Sequence, residues 1–259
     1  MRKIGRKVLI VNLDPGNDEL PYESDLSITE LVRVEEVMDH LKLGPNGGLM
    51  YAMEYLDENY DWLQKFIKQI KPRHFVLFDF PGQVELFINS QSVKNLLRKL
   101  DKEQMRICAV NLIDSHHCVD PAKFIAGLLI ALSSMLHLEM PQVNVLSKVD
   151  LIEKFQSKTS FDLEFYTEVL DLSYLTELLD EDVFTAKYKK LNEGIASIIE
   201  DFSLVSFVPL DIHDKGSILK VLQGVDKALG YTPSNEEELL IQQFVSAEPE
   251  EDVDEHLMV

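Results

Sequence analysis

Three apolar runs in this sequence end in polar residues of the types that handle phosphates and purine rings. Residues 75–78 lead into Asp79-Phe80-Pro81-Gly82-Gln83. A carboxylate at Asp79 could hold magnesium directly or through water, Gly82 lets its backbone N–H approach a terminal phosphate, and Gln83 could orient water. Pro81 and Gly82 are also ordinary turn punctuation, which is the plainer reading of the same string. Residues 143–146 lead into Ser147-Lys148-Val149-Asp150, a form of the Asn/Ser-Lys-x-Asp pattern. The Asp150 carboxylate can accept both the N1 proton and the exocyclic amine of guanine, a two-point contact that the reversed edge of adenine cannot make. The stem of Lys148 can lie along the purine face. Residues 8–11 lead into Asn12-Leu13-Asp14-Pro15. Asp14 could position or deprotonate an attacking water, or it could simply open a turn ahead of proline.

Chemistry of this kind needs elements that bring strand ends together. Residues 8–11, 75–78, 108–113, 143–146 and 205–208 are short β-branched or aromatic runs bounded by turn residues, the pattern of buried strands. Helical spacing lies between them, at Leu31, Val34, Val37, Met38 and Leu41 and then over residues 86–100, 124–136 and 188–199. The alternation predicts an α/β fold with a mostly parallel sheet and helices on both faces, in which ligands bind beyond the carboxyl ends of the strands. Ser27 with Glu30 resembles a capping box, and Asp120-Pro121 an N-cap with proline at the first helical position.

Bulk properties set the class. The chain has 259 residues, 46% of them apolar, enough for one large domain or a domain with a subdomain. Its 45 acidic against 25 basic residues give a net charge of −20, which repels phosphate backbones and anionic lipid and predicts no direct nucleic acid binding and no membrane partner. Only Cys108 and Cys118 are present, too few for a disulfide framework, and no apolar leader or long apolar span stands out. These traits predict a cytoplasmic protein. From Ser234 the composition turns acidic, so the expected organisation is one domain over residues 1–233 and an unordered acidic tail over 234–259. His116, His117 and Cys118 invite a metal reading, but no further ligand lies at suitable spacing, which favours a structural role. Met38, Met50, Met53 and Met135 read as core packing. Residues 166–179 fit either a partner-binding insertion or an ordinary amphipathic helix.

The segment Gly44-Pro45-Asn46-Gly47-Gly48 is not explained by generic nucleotide-site logic. With Leu20-Pro21-Tyr22-Glu23, the string from Asp79 to Glu85, Ser115-His116, Asp120-Pro121-Ala122-Lys123-Phe124 and residues 146–152, it resembles the GPN-loop GTPases from Arg6 to about Tyr231. Residues 166–175 resemble most nearly the second of the family's eukaryotic paralogues. The resemblance implies a P-loop NTPase-like fold and a homo- or heterodimeric switch that uses GTP/GDP and magnesium. It implies that Gly44, Pro45 and Asn46 reach the partner's phosphate region and that Asp14 holds the attacking water. Asp79 would hold magnesium, Gln83 and Glu85 would support the switch, and Ser147, Lys148 and Asp150 would read guanine. It further implies assembly and nuclear delivery of RNA polymerase II, with polymerase subunits or assembly factors as partners and shuttling between cytoplasm and nucleus.

The family's Gly-x-x-Gly-x-Gly-Lys-Thr loop, its strand and most of its helix are expected before Arg6, and no equivalent string occurs in these 259 residues. A truncated gene model or splice form is the expectation drawn from this, with two strand edges and apolar helix faces left open. The alternative function is a hydrolysis-deficient binding partner that pairs with a complete family member.

Overall fold

A computed structural model describes residues 1–17, 19–152, 159–169, 171–181 and 184–246. Each of the five apolar runs holds or overlaps a strand, although the last begins two residues late: β1 (Lys7–Asn12), β3 (His74–Asp79), β4 (Ala109–Asp114), β5 (Gln142–Ser147) and β6 (Phe207–Leu210), joined by a two-residue β2 (Leu26–Ser27). Every pairing is parallel, in two three-stranded sheets ordered β2-β1-β3 and β4-β5-β6. The registers set Asn12 beside Asp79 and Asp114 beside Ser147, so the polar strand ends line up within each sheet.

The described helices are α1 (Val34–Leu41), α2 (Pro45–Glu58), α3 (Asp61–Ile67), α4 (Glu85–Ile88), α5 (Gln91–Lys102), α6 (Pro121–Leu138), α7 (Leu163–Glu168), α8 (Ser173–Glu181), α9 (Lys189–Phe202), α10 (Lys215–Leu229) and α11 (Asn235–Ser246). Asp120 caps α6, its carboxylate accepting from the N–H groups of Ala122 and Lys123, with Pro121 at the first turn as the sequence predicts. By length and apolarity α6 could cross a bilayer, which the sequence reading did not single out. Its Phe124, Ile125, Leu128, Ala131 and Leu132 instead fill a core cluster with Leu146, Tyr166 and Phe207. Tyr166, Leu172, Leu175 and Leu179 are buried in that same cluster, so α7 and α8 form part of the core. A second cluster joins Val11, Leu13 and Leu56 to Leu86, Val93, Leu96 and Leu100 beneath β1 and β3.

Four local expectations change. The Ser27 hydroxyl accepts from Thr29 N–H and caps a short 3-10 turn, while α1 begins only at Val34. Residues 86–100 divide into α4 and α5, because Ser90 caps a new helix start. Met50 is exposed, whereas Met53 is in the core. Where an unordered tail from residue 234 was expected, Asn235–Ser246 is helical, because Ser234 and Glu237 form a reciprocal capping box: Glu237 N–H donates to Ser234 Oγ at 3.3 Å and Ser234 N–H to Glu237 Oε2 at 3.1 Å. The acidic residues from 247 onward lie outside the described residues.

One junction orients the sheets. The Arg6 guanidinium, just before β1, donates to both Asp226 oxygens on α10 at 2.7 and 2.6 Å and lies 4.8 Å from the ring centres of Phe75 and Tyr231. Arg106, just before β4, donates to the carbonyls of Leu229 and Gly230. The N-terminal ends of β1, β3 and β4 therefore meet the C-terminal end of α10, and their carboxyl ends share the opposite side.

Candidate nucleotide site

On the first sheet, Asn12 is fully buried and organises the turn that carries Asp14. Its amide donates to the Asp14 carbonyl (3.2 Å) and to Ser27 Oγ (3.0 Å), while its own oxygen accepts from Asp14 N–H (3.0 Å). Gly16 N–H then donates to Asp14 Oδ1 at 2.9 Å, leaving Oδ2 without a bond to the described residues. Leu13 N–H donates to the Asp79 carbonyl at 2.7 Å, so Asp14 and Asp79 are brought to one place. Tyr22 closes the group by donating its hydroxyl to Asp79 Oδ2. Partial burial, then that hydrogen bond and the charges of Asp79 and Asp14, push the Tyr22 phenol well above its ordinary range, so it stays protonated as a donor. A Cβ at Gly82 would meet nothing within 4 Å, so packing does not select glycine there. Gln83 Oε1 is buried without a partner among the described residues, an acceptor suited to an ordered water.

On the second sheet, Ser147, Lys148 and Asp150 form one turn. Ser147 Oγ donates to the Ile113 carbonyl at 3.1 Å, and Ser115 Oγ donates to the Lys148 carbonyl at 2.8 Å. Lys148 has φ 59°, a left-handed conformation that costs a non-glycine residue about 1 kcal/mol or more and that collects at functional turns. Its ammonium lies 2.8 Å from Asp114 Oδ2, while Asp114 Oδ1 accepts from His116 N–H. Partial burial opposes the Asp114 charge, but the Lys148 and His116 bonds outweigh it and hold the carboxyl below its usual range. Asp150 follows on a 3-10 turn with its side chain exposed, free to meet the edge of a base.

Gly44 is the N-cap of α2, Pro45 its first residue, and both stand exposed with Asn46. Among the described residues Asn46 makes no hydrogen bond, neither to Asp14 nor to Asp79. The connection is indirect: Leu49, one turn on, packs at the Asp14-Pro15-Gly16 turn. A Cβ at Gly48 would sit 3.0 Å from Met38 Cγ and 3.2 Å from Val34 Cγ2, the close approach that fixes α2 on α1. Gly48→Leu is therefore expected to destabilise the fold by about 1–3 kcal/mol through overpacking, read as a lower urea midpoint.

His116, His117 and Cys118 build no metal centre. Cys118 is buried in the α6 core, burial pushes its thiol up to about 12, and among the described residues no three His, Cys, Asp or Glu side chains converge as ligands. Sequence reasoning passed over Asp114, and it quoted Ser115 and Tyr22 without giving either a role. The signal available was that Asp114 and Ser115 directly follow an apolar run, as Asp79 does.

A family model described as a conserved hypothetical ATP binding protein matches residues 1–231. GPN-loop GTPase 2 of Danio rerio is 55% identical over 247 residues, which cover 95% of this chain and 79% of the relative. GPN-loop GTPase QQT1 of Arabidopsis thaliana is 54% identical over 229 residues, covering 88% and 76%. GPN-loop GTPase 2 of Saccharomyces cerevisiae is 44% identical over 237 residues, covering 88% and 67%. Among solved structures, the apo form of PAB0955, a GTPase from Pyrococcus abyssi, superimposes with a TM-score of 0.65 at 26% identity and 86% coverage of both chains.

Proposed function

The chain belongs to the GPN-loop GTPase family, and we propose that it binds GTP through the Ser147–Asp150 turn and hydrolyses it as a dimeric switch. Family membership supports nucleotide binding and GTPase activity. The observation that carries the base assignment is the held turn itself, with Ser115 and Ser147 fixing the backbone so that the Asp150 carboxylate is presented to the N1 and N2 protons of guanine. The matching family description speaks of ATP. Adenine offers that carboxylate an acceptor where guanine offers a donor, so the chemistry of Asp150 favours GTP.

Asp79, with Asp14 beside it, suits magnesium, which takes one or two carboxylates and completes its shell with phosphate oxygens and water. Bound there, the ion would neutralise charge on the terminal phosphates. Asp14 has one carboxylate oxygen committed to Gly16 and the other open to take or orient a water proton. Tyr22 competes for Asp79. In Tyr22→Phe the magnesium dependence of nucleotide binding is expected to shift to lower ion concentration, by about tenfold if the lost hydrogen bond is worth ~1.4 kcal/mol, as followed by calorimetric titration.

The exposed Asn46 is proposed to act on the phosphates bound by a dimer partner, another family member or a second copy, since it makes no hydrogen bond to the described residues of its own chain. Assembly and nuclear delivery of RNA polymerase II, with shuttling between cytoplasm and nucleus, is the cellular role supported by the family resemblance. The net charge of −20 supports protein partners over nucleic acid or lipid. A second reading is that the chain lends Asn46 to a complete family member without turnover of its own. Titration of GTP and of ATP with magnesium into the chain tests the base assignment. GTP is expected to bind at least about tenfold more tightly, and equal affinities would overturn the guanine assignment.

A further inference from the structure

Helix α9 buries one face, where Ala196 and Ile199 join the core cluster against α6 and α8, and leaves another bare. On the bare side Lys187, just ahead of the helix, is followed by Leu191, Gly194, Ile198 and Asp201 at alternating spacings of four and three, one continuous stripe of a helix. Leu191 is 58% and Ile198 49% exposed, and Tyr188 and Phe202 along one edge of the stripe are about as bare. Apolar side chains gathered in this way, rather than scattered singly, mark a surface that meets another. Two further traits of α9 find no reason among the described residues. Gly194 weakens the helix interior, yet a Cβ there would meet nothing within 4 Å. The charges run against the helix dipole: Lys187 and Lys190 stand at the start and Asp201 at the end, with no acidic residue in the first turn and no basic one in the last. Lys187 and Asp201 are exposed and pair with none of the described residues.

We propose that this face of α9 pairs with the α9 of a second copy of the chain, antiparallel across a twofold axis at Gly194. The stripe has the same spacing read in either direction. Lys187 of one copy therefore meets Asp201 of the other, Leu191 meets Ile198, and the two Gly194 positions face each other, where the lack of side chains lets the backbones close. Antiparallel pairing also sets each basic helix start beside an acidic helix end and opposes the two dipoles, which accounts for the charge order. A groove of about 400 Å³ between Phe184, Tyr188 and Leu191 lies at the level of Phe202 of the second copy, on the same side of the pair, and receives its ring. A partner of unrelated sequence would need the same order of charge, apolar residue, gap, apolar residue and opposite charge. A second copy has it by symmetry.

The stripe shares no residue with the strand ends that meet nucleotide or with the Gly44–Asn46 segment, so this contact is independent of GTP and of the role proposed for Asn46. A seam made by one 14-residue helix buries less than the roughly 800 Å² per partner of a standard interface, and the pair is therefore expected to dissociate in the micromolar range.

The test is sedimentation equilibrium of the full chain without nucleotide, over a concentration series that spans the micromolar range. Leu191→Lys, at an exposed position, is expected to weaken self-association at least about tenfold while leaving the urea midpoint unchanged. Charge exchange reads the geometry. Lys187→Glu and Asp201→Lys are each expected to weaken pairing by at least about threefold, because each sets like charges opposite one another twice. Mixed together, the two variants are expected to pair with each other in preference to themselves, since the exchanged charges then meet, and both changes in one chain are expected to restore pairing. A chain that stays monomeric throughout the series overturns the proposal. So does a dimer that Leu191→Lys leaves intact, or one whose two charge variants show no preference for each other. Repeating the series with GTP and magnesium separates this contact from the nucleotide reading. Association that needs GTP and survives Leu191→Lys sinks the α9 contact alone, whereas α9 pairing in a chain that fails to bind GTP sinks only the nucleotide reading.

Discussion

In Asp150→Asn, affinity for GTP is expected to fall by about a hundredfold or more while affinity for xanthosine triphosphate rises, so that the order of preference reverses. The carboxylate accepts two protons from guanine. An amide at the same place accepts from N1–H but turns an N–H donor toward the N2 amine, leaving two donors opposed. Xanthine carries a carbonyl at that position and satisfies the amide. The effect is large because the turn cannot adjust: Lys148 is locked in a left-handed conformation, its carbonyl is held by Ser115, and Ser147 is tied to Ile113. Competition between the two triphosphates on wild type and variant reads the exchange directly. An unchanged ratio would mean that Asp150 does not touch the base.

How much of this was legible before the structure follows from the range of each interaction. The five β-branched runs announced their strands, and in a parallel sheet a strand end is where a ligand-handling residue must sit, so Asp14, Asp79 and Ser147 to Asp150 could be placed from local text. The partners of those residues could not. Tyr22 reaches Asp79 across 57 positions and Lys148 reaches Asp114 across 34, and no periodicity reports such pairs. Ser234 and Glu237 show the opposite failure. Their spacing is a helix-start signal, yet the acidic composition around them outweighed it, and the helix is held where Leu240 packs over Gly5, itself at φ +80°. The capping-box spacing of Ser27 and Glu30 likewise misled, since the Ser27 hydroxyl is shared among Asn12, Thr29 Oγ1 and Thr29 N–H and serves the Asp14 turn.

The carboxyl ends of the two sheets can work as one site only if the sheets hold a fixed relation, and the structure places much of that task on Arg6 at the opposite end. Its side chain is fully buried, and it bonds both oxygens of Asp226 while Phe75 and Tyr231 enclose it. Glu237 of α11 adds a third carboxylate oxygen at 3.5 Å. Burial opposes the Arg6 charge, but the bonds to Asp226 outweigh it and hold the guanidinium above its ordinary range. Arg6→Ala is therefore expected to cost about 3–5 kcal/mol of unfolding free energy, because Asp226 is left buried without its partner. Replacing both residues with apolar ones, Arg6→Met with Asp226→Leu, is expected to recover most of that loss. Urea unfolding of the two single variants and the double variant gives the coupling. Additive losses would show that the junction is not held by this pair. A GTP affinity that falls in Arg6→Ala and returns in the double variant would tie the strand ends that meet nucleotide to a contact at the far end of the same strands.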